Sequence, residues 1–182
     1  MENLAIYLFR NLKTKQVLVS KSSNFLNNNQ LLKQFTNNAI KPLLVRPDMW
    51  SPMVVLHGFK SIDLQNNMFS LLSTPVPPPE TVIQRSGISL EEYKRFPLEK
   101  KREFERNMIE PKLDQLCRAI LFLNYKKIDY SLTLFWENYA FMNSITRETL
   151  KWPENISHKK LDLVKGNMIL NPELRKLSKI KI

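Results

Sequence analysis

The chain has 182 residues, with 28 Lys and Arg against 17 Asp and Glu, which gives a formal net charge of +11. Two histidines and one cysteine are too few for the usual zinc ligand sets, and a lone cysteine excludes an internal disulfide and points to a reducing compartment. Without Walker, GxSxG or dinucleotide motifs, and without a run of about 18 apolar residues, we expect no enzyme, no metal, no cofactor and no membrane span.

The positive charge is concentrated at the two ends of the chain. Residues 1–60 carry eight basic and two acidic side chains, residues 61–146 carry eleven of each, and residues 147–182 carry nine and four. Basic ends around a neutral middle indicate that the ends lie on a polyanion while the middle packs on protein. A generally basic proteome would also raise the total charge, but it would not leave the middle third neutral.

The chain opens on a predicted β-hairpin. Two runs rich in β-branched and aromatic residues, Leu4–Phe9 and Gln16–Ser20, flank a polar turn. Alternation gives the first strand two apolar faces, which consist of Ala5, Tyr7 and Phe9 on one side and Leu4, Ile6 and Leu8 on the other. Because both faces are apolar, we expect the hairpin to lie between two layers of a domain.

Basic side chains cluster around this hairpin. Arg10, Lys13 and Lys15 fall at the turn, and Lys21 follows the second strand. A charged turn that faces solvent can contact phosphates, which position a protein on a nucleic acid without reading its sequence. The alternative is that these side chains only keep the turn soluble.

Further elements complete a predicted N-terminal domain over residues 1–74. We expect a helix over Asn28–Asn38, a central strand over Met53–Phe59, and a second helix over Ile62–Leu72 that returns over the sheet. The proline-rich residues 75–88 then predict a polyproline linker that ends this domain.

A helical region is predicted over residues 89–145. Ser89 is followed by Glu92 at the spacing of a capping box, and a long helix is expected from about Pro97 to Tyr125, kinked or divided at Pro111. Its second half carries an apolar stripe wide enough to be core, and Cys117 on that stripe is expected to be buried and inert.

The segment Tyr130–Phe141 is unusually aromatic, and we expect it to pack on the preceding helix. The alternative is base stacking by Trp136 or Tyr139, which requires exposure beside basic residues. Residues 146–182 are predicted to form an extended basic tail that becomes ordered on a partner. The predicted fold is α+β, with a small hairpin/helix/strand/helix domain followed by a helical C-terminal region and this tail.

Several short blocks near the start resemble the fungal mitochondrial homologous-recombination protein family, whose members are also components of the large subunit of the mitochondrial ribosome. The blocks are Ile6–Leu12, Gln16–Ser20, Asn24–Phe25, Leu44–Trp50 and Met53–Leu56. The resemblance covers roughly residues 4–75 and implies a protein of the mitochondrial matrix.

We therefore expect a structural component of the large mitochondrial ribosomal subunit that binds rRNA and neighbouring ribosomal proteins. The family equally implies a DNA-binding recombination or pairing factor as the alternative, because phosphate contacts do not distinguish RNA from DNA. Pro47 holds Arg46 extended, and Trp50 would either stack on a base or anchor its strand. The expected nucleic-acid contacts are Arg10, Lys13, Lys15, Lys21, Arg46, Trp50, Arg175, Lys176, Lys179 and Lys181.

The hairpin is also similar, more distantly, to the start of a GIY-YIG nuclease domain. Ala5-Ile6-Tyr7 stands at the first triplet and Leu18-Val19-Ser20 near the second. The arginine that this family needs on the following helix is missing from Asn28–Asn38, and so is its second tyrosine. This resemblance implies a nuclease-like scaffold without the chemistry, and an active nuclease is the third hypothesis.

Overall fold

The computed structural model describes residues 4–24, 28–35, 40–75, 87–126, 128, 130–145, 150–165 and 167–175. They form the predicted α+β fold. The strands are β1 (Ala5–Asn11), β2 (Val17–Ser20), β3 (Trp50–His57), β4 (Thr133–Trp136), β5 (Ser157–Lys160), β6 (Leu163–Val164) and β7 (Met168–Ile169). The helices are α1 (Asn28–Leu32), α2 (Ile62–Ser73), α3 (Leu90–Arg95), α4 (Leu98–Arg106), α5 (Ile109–Tyr125), α6 (Tyr139–Asn143) and α7 (Pro172–Arg175).

The main sheet has the strand order β2-β1-β3-β4-β5, so β3 is central, as predicted. The neighbouring strands from β2 to β4 pair in antiparallel fashion, and β5 runs parallel to β4. The sheet therefore joins strands from both sides of the predicted linker. Most of that linker, residues 76–86, lies outside the described residues, and the division of the chain into domains stays a prediction.

The two faces of the hairpin contribute to two separate cores, as the alternation predicts. Ile6 and Leu8 lie in a core that is completed by α2 and α5. Ala5, Tyr7 and Phe9 lie in a second core on the opposite face, with α1 and α7. Since both faces of the sheet are covered, the sheet is the middle layer of the fold.

The central strand starts at Trp50, three residues before the predicted start at Met53. The register of β3 against β1 shifts between Val54 and Pro52, since Leu8 pairs with Val54 and Phe9 pairs with Pro52. Met53 is therefore the extra residue of a β-bulge. A proline within a central strand is tolerated at a bulge because the ladder hydrogen bonds are already interrupted.

The helix predicted over Asn28–Asn38 is shorter in the structure. It ends at Leu32 and is followed by a turn at Lys33 and Gln34. The Gln34 amide accepts from the Val19 N–H at 2.9 Å and donates to the Val19 carbonyl at 2.6 Å. This amide takes the place of a neighbouring strand on β2, which explains why the chain leaves the helix early. Residues 36–38 lie outside the described part of the chain.

The helix predicted from Pro97 to Tyr125 is divided, as expected. The break falls at Asn107 and Met108, and Pro111 is the third residue of α5. A proline in the first helical turn costs no hydrogen bond, because those N–H groups have no intrahelical acceptor. The capping box is confirmed in part, since the Ser89 hydroxyl accepts from the Glu92 N–H at 3.1 Å.

A buried lysine helps to hold α5 against the end of α2. Lys112 is buried, and its ammonium donates to the carbonyls of Leu72 at 2.5 Å and Thr74 at 2.8 Å and to the Gln115 amide oxygen at 3.0 Å. Burial lowers the pKa of Lys112 to about 8. The three acceptors compensate the desolvated charge and satisfy carbonyls at the C-terminal end of α2.

The C-terminal third differs from the prediction. The aromatic segment contains a strand, β4, rather than only packing on α5, and the predicted tail contributes the edge strand β5 and the small β6–β7 sheet. Leu161 and Leu174 from this region are buried in the second core. The Asn171 side chain donates to the Lys160 carbonyl and accepts from the Asp162 N–H, so one amide holds the end of β5. Residues 176–182 lie outside the described part.

The turn between β3 and α2 predicts a mutational contrast. Gly58 has φ +98°, and a methyl group added there would overlap the Ser131 carbonyl oxygen, whereas Gly87 has φ +70° with open space around it. We expect Gly58→Ala to lower the free energy of unfolding by about 2–4 kcal/mol and Gly87→Ala by about 1 kcal/mol. Urea unfolding measures both, and equal losses would contradict the close approach at Ser131.

The contact between β4 and β5 predicts a pH dependence of stability. The Trp136 indole N–H donates to Nδ1 of His158 at 3.0 Å, and burial lowers the pKa of His158. The unfolded chain therefore binds a proton more readily than the folded chain, and the contribution is present above about pH 6.5 and is lost as the pH falls through the folded pKa.

We expect the urea midpoint, followed by tryptophan fluorescence, to fall less on acidification for His158→Gln than for the wild type. Burial also lowers the pKa of His57, so His57→Gln is the matched comparison. An unchanged acid response in His158→Gln would show that His158 does not carry the effect.

Candidate nucleic-acid interface

The hairpin turn that carries Lys13 and Lys15 is fixed by its own hydrogen bonds. The Asn11 side-chain oxygen accepts from the backbone N–H groups of Lys13 and Thr14, both at 2.9 Å. The Lys15 N–H donates to the Asn11 carbonyl, and Lys15 adopts a left-handed conformation with φ 60°. The lysine side chains therefore leave a rigid turn, and both are exposed.

This turn docks on the junction between α4 and α5. The Met108 N–H, at the helix break, donates to the Lys15 carbonyl at 3.0 Å. The contact brings the two turn lysines to one side of an open groove of about 500 Å³, which we call the turn groove. Its lining residues are Lys13, Thr14, Lys15, Lys100, Glu103, Phe104, Arg106, Asn107, Glu110 and Pro111.

Four cationic and two acidic side chains line the turn groove. Lys100 and Arg106 come from α4, and neither was among the contacts expected from the sequence. Lys100 is held over the Phe96 ring, with 3.9 Å between its Nζ and the ring centre. The sequence pattern did not link the hairpin turn to the junction of α4 and α5, because the hydrogen bond from Met108 to Lys15 joins residues that are distant in the chain.

Arg10, which was predicted to contact phosphate, is paired inside the protein. Its guanidinium makes two hydrogen bonds of 2.8 Å to the two carboxylate oxygens of Glu137. The two side chains are only 23% and 22% exposed, and the Arg10 guanidinium also lies 5.5 Å from the Phe141 ring centre. The charge of Arg10 is thus neutralised by a carboxylate of the same chain, which removes it from the cationic surface.

The predicted contacts Arg46 and Trp50 lie on the chain that enters the central strand. Arg46 is extended before Pro47, as predicted, and its guanidinium pairs with Asp48 at 2.7 Å. This arginine lowers the pKa of the Asp48 carboxyl below its usual value. Trp50 is 1% exposed within the second core, so its ring anchors β3 and is not available for base stacking.

Lys21 lies at the end of the hairpin opposite the turn. Its ammonium donates to the Asn66 side chain at 2.5 Å and lies 4.8 Å from the Phe69 ring centre, so it faces α2. Arg175 is exposed at the end of α7, and Lys176, Lys179 and Lys181 lie outside the described residues. Of the seven predicted contacts that lie within the described residues, the turn groove brings together Lys13 and Lys15.

The two aromatic residues considered for base stacking differ in exposure. Trp136 is fully buried between the sheet and Trp152, with 5.4 Å between the ring centres. Tyr139 is 40% exposed, and the Lys160 ammonium lies 6.0 Å from its ring centre. Exposure beside a basic residue, which stacking requires, is met by Tyr139 alone of these two.

The cysteine is buried, as expected. Burial raises the pKa of the Cys117 thiol to about 11, with a smaller contribution from Asp114. Among the described residues, no group of His, Cys, Asp and Glu side chains is arranged to hold a metal ion. None of the helices in the described ranges has the length and apolar content needed to cross a bilayer.

The model of a family described as "Transcriptional regulation of mitochondrial recombination" matches residues 4–74, which is less than half of the chain. No curated protein matches the chain. The matched range contains β1 to β3 with α1 and α2, and it supports the predicted likeness to a mitochondrial recombination family. The family description names recombination and not the ribosome, so the ribosomal role and the GIY-YIG likeness stay predictions.

The contrast between the two paired arginines predicts different roles in stability. The Arg10–Glu137 pair is shielded and doubly hydrogen-bonded, whereas Arg46 and Asp48 are 64% and 60% exposed and two residues apart. We expect Arg10→Met to lower the free energy of unfolding by about 1–3 kcal/mol and Arg46→Met to leave it close to the wild-type value. Urea denaturation gives both values, and a negligible loss in Arg10→Met would mean that the ion pair does not hold β1 to the loop after β4.

Proposed function

We propose that the protein binds DNA through the turn groove and acts in the recombination of mitochondrial DNA, in the matrix and without catalysing a reaction itself. The observation that carries this proposal is the match of residues 4–74 to a mitochondrial recombination family, because those residues include the turn that presents Lys13 and Lys15. The predicted alternative to the ribosomal role is thus the better supported of the two.

The groove suits a sugar-phosphate backbone. Lysine ammonium groups bind phosphate as rotatable point charges, and an arginine adds a planar fork that can engage two phosphate oxygens. Glu103 and Glu110 place two negative charges in the same groove. These carboxylates repel phosphates that approach closely, so phosphates should bind at the cationic side chains rather than fill the groove.

Such a surface binds duplex DNA with little dependence on sequence. Lys13 and Lys15 lie on a turn, and Lys100 and Arg106 lie on α4 with Glu103 between them, so the helix presents no unbroken row of donors to the base edges of the major groove. Phosphate contacts alone give an affinity that falls steeply with salt concentration. Sequence preference, if the recombination role requires it, would then come from another component or from DNA shape.

The double variant Lys13→Gln with Lys15→Gln tests this assignment. Each phosphate contact contributes about 0.9 to the slope of log affinity against log salt concentration for duplex DNA, so we expect the slope to fall by about 1.8. Fluorescence anisotropy with a labelled duplex at several salt concentrations measures the slope. The loss should be the same for duplexes of unrelated sequence.

The matched control removes two exposed lysines outside the groove, with Lys151→Gln and Lys165→Gln. It changes the net charge equally and should leave the slope close to that of the wild type. If both double variants lower the slope by the same amount, binding follows net charge alone and the turn groove is not the site. Specific cleavage of the duplex in the presence of Mg²⁺ would contradict the non-catalytic part of the proposal.

A further inference from the structure

A second groove lies along the outer edge of β2, between α1 on one face of the sheet and α2 on the other. It has a volume of about 670 Å³, and we call it the edge groove. Its lining residues are Ser20, Lys21, Ser22, Asn24, Gln30, Leu31, Lys33, Gln34, Phe69 and Ser73. The turn groove and the edge groove share no lining residue, and they lie at opposite ends of the hairpin.

The lining of the edge groove combines positive charge, amides and an aromatic ring. Lys21 and Lys33 are the charged members, and none of the described lining residues is acidic. Phe69 is half-buried, and the Lys21 ammonium lies 4.8 Å from its ring centre. In the turn groove, by comparison, two carboxylates oppose four cations. The edge groove is therefore the better match for a ligand that carries both negative charge and flat rings.

The backbone of the edge strand is not open to a peptide partner at this point. A peptide that adds a strand to a sheet needs unpaired N–H and C=O groups along the edge. The Gln34 amide already pairs with both groups of Val19, at 2.9 Å and 2.6 Å, so an added strand would have to displace it. This geometry disfavours strand addition by another protein and leaves the side chains of the groove as the recognition elements.

We infer that the edge groove binds a single-stranded nucleic acid, with a base stacked on Phe69 and the flanking phosphates held by Lys21 and Lys33. This inference rests on the proposed function and deepens it by giving the protein a separate site for unpaired strands. Aromatic platforms beside a cationic groove are the general solution for binding single strands without sequence preference. On binding, the Lys21 ammonium moves from the Phe69 ring to a phosphate, and the base then stacks on the ring face that the ammonium has left.

The amides of the groove fit the same ligand. Asn24 and Gln30 present both donors and acceptors, which can pair with the exposed edge of any base because amide groups rotate to suit the partner. Duplex DNA hides these base edges and its base faces. The edge groove should therefore favour a single strand over a duplex, whereas the turn groove should bind the backbone of either.

The test compares a labelled oligothymidylate with a labelled duplex of the same length, by anisotropy over a series of salt concentrations. For Lys21→Gln with Lys33→Gln, we expect the salt slope for the single strand to fall by about 1.4, which is two contacts of about 0.7 each. For Phe69→Leu, we expect about fivefold or greater loss of single-strand affinity with an unchanged slope, because stacking carries no charge. Both variants should bind the duplex as the wild type does.

Two controls make the result specific. Lys151→Gln with Lys165→Gln removes the same charge elsewhere, and urea unfolding checks that Phe69→Leu remains folded. If Phe69→Leu is unfolded, the double lysine variant still decides the question, since Lys21 and Lys33 are exposed.

The outcomes separate this inference from the proposed function. If the edge-groove variants bind the single strand as tightly and with the same slope as the wild type, while Lys13→Gln with Lys15→Gln weakens duplex binding, the inference is overturned and the proposed function stands. If the turn-groove variant binds the duplex as the wild type does but the edge-groove variants lose affinity for the single strand, the inference stands and the proposed duplex site is overturned. A protein that binds neither nucleic acid overturns both.

Discussion

The pairing of β3 with strands on both of its sides is the constraint on which the rest of the structure depends. β3 is hydrogen-bonded to β1 from the hairpin and to β4 from the C-terminal half, and its residues from Met53 to Leu56 are fully buried. Because the N–H and C=O groups of a buried strand need partners, removing either neighbour would leave a row of unsatisfied groups in the interior. The segment that matches the recombination family thus shares its central strand with a part of the chain outside the match.

The same pairing explains how the cationic side chains are distributed. The closure of β4 against β3 brings Glu137 next to Arg10, and the resulting ion pair removes one of the most N-terminal charges from the surface. Docking of the turn on Met108 brings Lys13 and Lys15 to Lys100 and gives the turn groove. The fold therefore decides which of the described cations can meet a polyanion.

The two grooves take their different character from the elements that border them. The turn groove is bordered by α4, a helix that carries both acidic and basic residues, and so contains both cations and carboxylates. The edge groove is bordered by α1 and α2, which present amides, Leu31 and Phe69. Rigid borders matter in both cases, since a site held by packed elements loses less entropy when it binds. Here the Asn11 and Gln34 side chains provide that rigidity at the turn and at the β2 edge.

Local sequence determined several elements of the fold. The hairpin with two apolar faces, the central strand, the α2 helix, the cap at Ser89 and the break before Pro111 all follow from alternation, helical spacing and proline chemistry, which act within a few residues. The likeness to a mitochondrial recombination family was also readable from short blocks in the first 75 residues. The candidate lysines of the turn were found in the same way, because a polar turn between two apolar runs exposes its side chains.

Only the tertiary structure decided the remaining features, because each depends on contacts between residues far apart in sequence. β4 and β5 are short strands that are defined by their pairing, β4 with β3 and β5 with β4. The bulge that accommodates Pro52 is likewise defined by the pairing of β3 with β1. Whether a given cation is paired cannot be read from composition. Arg10 and Lys13 are three positions apart, yet Arg10 pairs with Glu137 whereas Lys13 lines the turn groove. Local chemistry thus set the elements and their charge, and long-range pairing set which of those charges face outward.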